Sequence, residues 1–158
     1  MRRVVAALLI GLALPLTVRP ANAQLADSKI LTHEAVRAMV QAATDHANQN
    51  GWAVSIAVVD AHGDLLAFRR LDGASLISIQ ISQGKAKTAA LFRRPTKALS
   101  DALAEGRTAL LTIDGLVALQ GGLPINVGPV TIGGMGVSGV TSEQDEQIAQ
   151  AGLNALKP

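Results

Sequence analysis

The densest chemistry in the sequence is cationic. Lys85, Lys87, Arg93, Arg94 and Lys97 follow one another with no acidic residue between the first and the last. Long cations above a surface of small side chains can hold carboxylates or phosphates, a guanidinium through a two-pronged contact and an ammonium as a point charge. The same run also suits an ordinary solvated face, and the sequence leaves both readings standing. Three histidines, His33, His46 and His62, are scattered. His33 and His46 fall on one helix but thirteen residues apart, on different sides of it, and none of the three has a second ligand at metal spacing. A protein-caged metal ion is therefore not expected. A haem iron needs only one or two axial ligands, so His33, His46 and His62 are all axial candidates.

Gly134-Met135-Gly136-Val137-Ser138-Gly139 spells a G-x-G-x-x-G fingerprint. A dinucleotide site also needs a second parallel strand with an acid about 20 residues further on. Only 19 residues follow Gly139, and they read as one helix. These glycines are expected instead to let neighbouring backbones meet or to line a shallow pocket with amides. No G-x-S-x-G elbow is present. Asp60 and Asp72 are single acids in turns, where capping backbone amides is the default role. No catalytic group is assigned, and the residues leave open whether the protein is an enzyme. The sequence has no cysteine, which excludes disulfides, zinc–thiolate sites, iron–sulfur clusters and thiol nucleophiles.

The elements that must carry these residues can be read from periodicity. Thr32 is a plausible N-cap, and Val36, Met39, Val40, Ala43 and Ala47 recur at helical spacing until Asn50-Gly51. Trp52 to Val59 reads as a strand, Asp60 to Gly63 as a turn, and Leu65 to Arg70 as the returning arm. Ser75 is expected to cap a second helix running to Phe92, burying Ile77, Ile81, Gly84, Thr88 and Leu91. Gly84 would there meet another backbone, read as that of a second subunit. Pro95 opens a short third helix. Val117–Gln120, Leu123–Val127 and Val130–Met135 read as three strands, and Ser142 with Asp145 as a capping box for the last helix. The expectation is an α/β (α+β) fold: a five-stranded, mainly antiparallel sheet with helices packed on it.

Residues 1–23 have the three parts of a secretory signal: Arg2 and Arg3, the apolar run Val4 to Leu14, and Ala21-Asn22-Ala23 as a cleavage site. The apolar run is too short for a membrane span. The expectation is a cleaved signal peptide, one domain over residues 24–158, and a periplasmic or secreted location. The precursor carries 14 basic and 12 acidic residues, net +2. Without Arg2, Arg3 and Arg19 it carries 11 and 12, net −1, so its basic character belongs to the signal. Trp52, Phe68 and Phe92 are its only aromatic residues. With so few stacking platforms and no basic excess, a nucleic-acid partner is not expected.

Several short motifs occur in a fixed order. They are Val58-Val59-Asp60-x-x-Gly63, Arg70-x-Asp72-Gly73-Ala74, Lys85-Ala86-x-Thr88-Ala89, Phe92-x-x-Pro95-Thr96, Gly121-Gly122-x-Pro124-Ile125, Gly136-Val137-Ser138-Gly139 and Gln144-Asp145-x-x-Ile148-Ala149-x-Ala151-Gly152. Each is weak alone; as an ordered set spanning nearly all of residues 24–158 they resemble the GlcG/HbpS-like, or haem-degrading domain, family. The resemblance implies a profilin-like α-β-α sandwich and homo-oligomers, octamers in some members. It implies several activities: exported relatives bind haem or iron and some degrade haem in redox sensing. A related domain ends certain corrinoid adenosyltransferases, and other members lie beside glycolate-utilisation genes. Leu123 and Gly134 depart from the commoner residues of the pattern without breaking the fold. With the cationic run, the resemblance places ligand contacts among Asp72, Lys85, Thr88, Arg93, Arg94, Thr96, Gly122, Pro124 and Ser138. The leading expectation is an exported haem-binding protein with a shallow, apolar, glycine-lined surface beside cations for the propionates. The alternative is an enzyme or binding protein for a small organic acid of the glycolate type, sited near Asp72, Lys85, Thr96 and Gly122. The cleavage site predicts that protein recovered from the cell envelope starts at Gln24; an intact mass that retains Met1 would refute it.

Overall fold

A computed structural model describes residues 28–157. The signal-peptide expectation lies outside the described residues. The first helix, α1 (His33–Gln49), starts as its sequence predicts: Thr32 Oγ1 accepts from the Ala35 amide at 3.2 Å, and Glu34 in the first turn complements the helix dipole. Its stripe of Val36, Met39, Val40, Ala43 and Ala47 is buried. Strands β1 (Ser55–Asp60) and β2 (Leu65–Arg70) form the expected hairpin, closed by Gly63 at φ 87°. Helices α2 (Ser78–Phe92) and α3 (Thr96–Ala104) and a short 3-10 turn, Thr108–Thr112, follow. Strands β3 (Gly122–Val127) and β4 (Val130–Ser138) and helix α4 (Ser142–Leu153) complete the chain. Among the described residues no helix is long and apolar enough to cross a membrane.

The sheet is antiparallel with strand order β2-β1-β4-β3, so the two central strands are β1 and β4. It has four strands where the sequence suggested five. The segment 117–120 forms no ladder, because backbone groups within it go to side chains. The Val117 amide donates to Thr88 Oγ1 at 3.0 Å, and the Leu119 carbonyl accepts from Thr96 Oγ1 at 2.6 Å. Alternation along the strands sorts side chains by size. Val54, Ile56, Val58, Leu123, Ile125, Met135 and Val137 meet α1 and α4 in the main core. The opposite face presents small residues, among them Ala57, Gly134, Gly136 and Gly122, and is covered by α2. The layers are therefore helix, sheet, helix.

Helix α2 packs through only part of the face that its sequence suggested: Thr88 is buried as expected, and Ile81 and Gly84 are half-buried. Its buried residues are Ser78, Ser82, Lys85, Ala86, Thr88, Ala89 and Ala90, whereas Ile77 is 58% exposed and Leu91 is exposed as well. The cause is the glycine surface beneath it. A methyl group on Gly134 would run into the Ala86 carbonyl oxygen and sit 2.9 Å from the Ala90 amide nitrogen. One on Gly136 would run into the Ser82 carbonyl oxygen and the Ala86 amide, and sit 3.0 Å from Lys85 Cβ. With helix backbone resting on strand backbone, only short side chains fit between them. Gly84 does meet another segment closely, but within this chain it is the side chain of Val117 and not a backbone. Ser75 does not cap α2: the Ser78 hydroxyl donates to the Ser75 carbonyl at 2.6 Å, and the N-cap position is Ile77. On α4 the capping box is Thr141 with Gln144, one residue before the expected pair. Gly136→Ala should therefore destabilise the fold by about 1–3 kcal/mol or more through overpacking. Urea unfolding that shows a change within about 0.5 kcal/mol would mean that α2 can lift from the sheet at little cost.

Candidate functional site

The expected ligand residues do not converge on one cleft. Lys85 projects from the buried side of α2 and is only 2% exposed. Its Nζ donates to Asp145 Oδ2 at 2.7 Å and to the Val137 carbonyl at 2.9 Å. Asp145 Oδ1 accepts from the Val140 amide at 3.2 Å. Burial pushes the Asp145 carboxyl above its usual range; the Lys85 ammonium and the amides of Val140 and Gly139 oppose that rise. The pair ties α2, the end of β4 and the first turn of α4 together. Its ammonium does not stand on the open, anion-facing surface that the cationic run suggested, and an incoming anion would have to displace Asp145.

Thr96 and Gly122 form a second knot. Thr96 Oγ1 accepts from the Gly122 amide at 2.9 Å while donating to the Leu119 carbonyl, and Thr96 is fully buried. Thr88 holds Val117 in the same way, and Ser138 is buried beside Ser55 at the end of the β1–β4 ladder. Pro124 is buried within β3 and borders a separate depression with Leu153 and Leu156. Arg93 and Arg94 are exposed after α2; Arg93 closes the helix in a left-handed conformation at φ 54°. Asp72 is exposed at the rim of a different cavity, of about 520 Å³, lined also by Thr44, Asn48, Trp52 and Arg69. The glycine surface expected to meet a porphyrin lies under α2. Among the described residues no three His, Asp or Glu side chains group as a metal site.

The three histidines differ in access. His46 stands edge-on to Trp52, with ring centroids 5.9 Å apart, and its Nε2 is buried without a hydrogen-bond partner. His33 is exposed in the first turn of α1. His62 is 87% exposed in the β1–β2 turn, its Nδ1 3.9 Å from Asp60 Oδ2. Asp60 is held in turn by the amides of His62 at 2.8 Å and Asp64 at 3.0 Å. The Asp64 amide is the main reason that its carboxyl titrates below the usual range. Sequence reasoning treated Asp60 as a turn cap, and its contacts with the His62 and Asp64 amides agree with that. It missed Asp145 as the partner of Lys85, and no local signal pairs residues 60 positions apart.

A family model described as "Haem degrading protein HbpS-like" matches residues 31–154. The chain belongs to the HbpS-like family. It is 45% identical to protein GlcG of Escherichia coli over 109 residues, 69% of this chain and 81% of that one. The crystal structure of HbpS superposes with a TM-score of 0.80 at 37% identity, covering 89% of this chain and all of the other. The PduOC–haem complex superposes with a TM-score of 0.75 at 30% identity, covering 82% and 96%. These likenesses agree with the α-β-α sandwich, and in this chain Lys85, Thr88, Thr96 and Gly122 serve its packing. Lys85→Met should leave Asp145 as an uncompensated buried charge and cost about 3–5 kcal/mol. The double variant Lys85→Met, Asp145→Leu should recover much of that loss in thermal unfolding. Additive losses in the two single variants and the double would show that the two side chains do not interact.

Proposed function

We propose that this chain is an exported haem-binding protein that works as a homo-oligomer. The observation that carries the reading is the match to PduOC crystallised with haem, over 96% of that chain, within a family described by haem degradation. The chain's own residues fit the group at its surface, not in a buried slot: an accessible imidazole, exposed cations and exposed apolar side chains all border the sandwich. Haem when bound would supply the redox chemistry; the protein residues bind and orient it. Residues 1–23 support export to the periplasm or beyond. Assembly is supported by apolar side chains left in solvent, with Leu111 (71% exposed), Ile113 and Leu119 around one depression and Leu76 and Ile77 exposed at the start of α2. Ferric haem added to the purified protein should give a Soret band that shifts and saturates at a fixed ratio, and light scattering at micromolar concentration should give a multiple of the subunit mass. Featureless uptake of haem would remove the first part of the reading, and a monomer mass the second.

A second reading has its own observation. The 520 Å³ cavity between the end of α1 and the end of β2 is open and polar. Arg69 Nη1 within it contacts Gln41 Oε1 at 3.2 Å and Thr44 Oγ1 at 3.1 Å, neutral acceptors that leave its charge unbalanced. That arrangement suits a small organic acid, with Asp72 at the rim. Saturable binding of glycolate, abolished by Arg69→Ala and untouched by haem, would favour it over the first reading.

A further inference from the structure

We infer that His62 supplies the axial ligand to haem iron and that Lys87, not Lys85, pairs with a propionate. The inference rests on the haem-binding reading and assigns its site. Three observations place these groups together. First, His62 presents a nearly free imidazole with a carboxylate behind one nitrogen. Asp60 Oδ1 is fixed by backbone amides, so Oδ2 is left to face His62 Nδ1 at 3.9 Å. The carboxylate thus stands on the Nδ1 side of the ring, where metal-bound histidines commonly have an acid as partner, and leaves Nε2 free. His33 has no carboxylate partner of this kind among the described contacts, and His46 turns its Nε2 into the protein.

Second, the exposed Lys87 of α2 lies across the same turn. A methyl group on Gly63, the residue after His62, would sit 2.9 Å from Lys87 Cγ and 3.4 Å from its Cε. The aliphatic stem thus rests on the turn and carries the ammonium past it, with no acidic partner among the described residues. Third, the adjacent sheet face is apolar. Phe68 packs on Ala57, Val59, Ala86 and Ala90, and Leu65, the ladder partner of Val59, is exposed. Phe68 is one of only three aromatic side chains in the protein. One end of the α2 side thus offers an iron ligand, a cation for a carboxylate and a hydrophobic ledge. Those are the three chemistries that a haem presents at its centre, its propionate edge and its vinyl edge.

The test is ferric haem titrated into the full-length mature protein and its variants, followed by absorption and by electron paramagnetic resonance. His62→Ala should lose the nitrogen-ligand signature of the parent and bind at least tenfold more weakly, with added imidazole restoring the spectrum. Lys87→Ala should keep the parent's band positions while its affinity falls by up to about tenfold, the ordinary range for a charge-assisted contact. His33→Ala and His46→Ala should match the parent. Both mutated positions of interest are exposed, so circular dichroism and oligomer mass should not change. A parent that shows no saturable band overturns the haem reading itself. A parent that binds, with His62→Ala spectrally unchanged, leaves haem binding intact and overturns only the site assigned here.

Discussion

No room exists for one methyl group between α2 and β4 at Gly134 or Gly136, and most of the architecture answers to that contact. Dispersion favours the approach, and directly over Gly134 and Gly136 it leaves room only for short side chains such as those of Ser82, Ala86 and Ala90. Most large apolar side chains gather on the opposite face, where Met39, Ile56, Met135, Val137 and Ile148 pack between the sheet and α1 and α4, while Val59 and Phe68 stay on the α2 side. The protein has one thick core and one thin one. Whatever polar groups α2 brings to the thin side arrive without water and need internal partners. They have them: Ser78 with Ser55 at 2.8 Å, Thr88 with the Val117 amide, and Lys85 with Asp145.

This explains why a buried ion pair is found in so small a domain. Lys85 has a long stem and a charged tip, and it reaches from the helix past the glycine seam to the start of α4. A hydrophobic residue of equal reach could fill the same space. What the ion pair adds is direction: an ammonium that must meet both a carboxylate and the Val137 carbonyl fixes α2, β4 and α4 in one mutual register. The chain's strongest charge contact is spent on assembly of the fold, and any contact with an anion falls to residues that solvent already reaches.

The legible elements were those with a one-sided hydrophobic pattern. Helix α1 could be read to its cap because Val36, Met39, Val40, Ala43 and Ala47 repeat at helical spacing. The β1–β2 hairpin was legible from its Val-rich strand and its Asp60–Gly63 turn. Helix α2 was legible only in part, because Ile77 and Leu91 face outward and the residues that pack, Thr88 among them, are small or polar and form no strongly apolar stripe. The stretch 117–120 has the composition of a strand, and only the remote hydroxyls of Thr88 and Thr96 divert its backbone from the sheet. In Thr141-Ser142-Glu143-Gln144-Asp145 two overlapping caps compete, and a lysine 60 residues away claims the aspartate. For the candidate site, the sequence named His62 as one of three equals. The difference among them is accessibility and the neighbouring carboxylate, which only the folded turn defines.

The two outer strands of the sheet have a consequence for how this protein can meet its own kind. On one side β3 carries Pro124, a residue with no amide hydrogen to offer a further strand. On the other side β2 ends in Arg69 and Arg70, whose like charges would repel the same edge of another copy. Neither margin invites a sheet to continue from molecule to molecule. Growth of that kind is the route to open-ended fibres, whereas contacts between faces can close on themselves. Any association of this protein through its exposed apolar residues would therefore run through its faces and not along its margins.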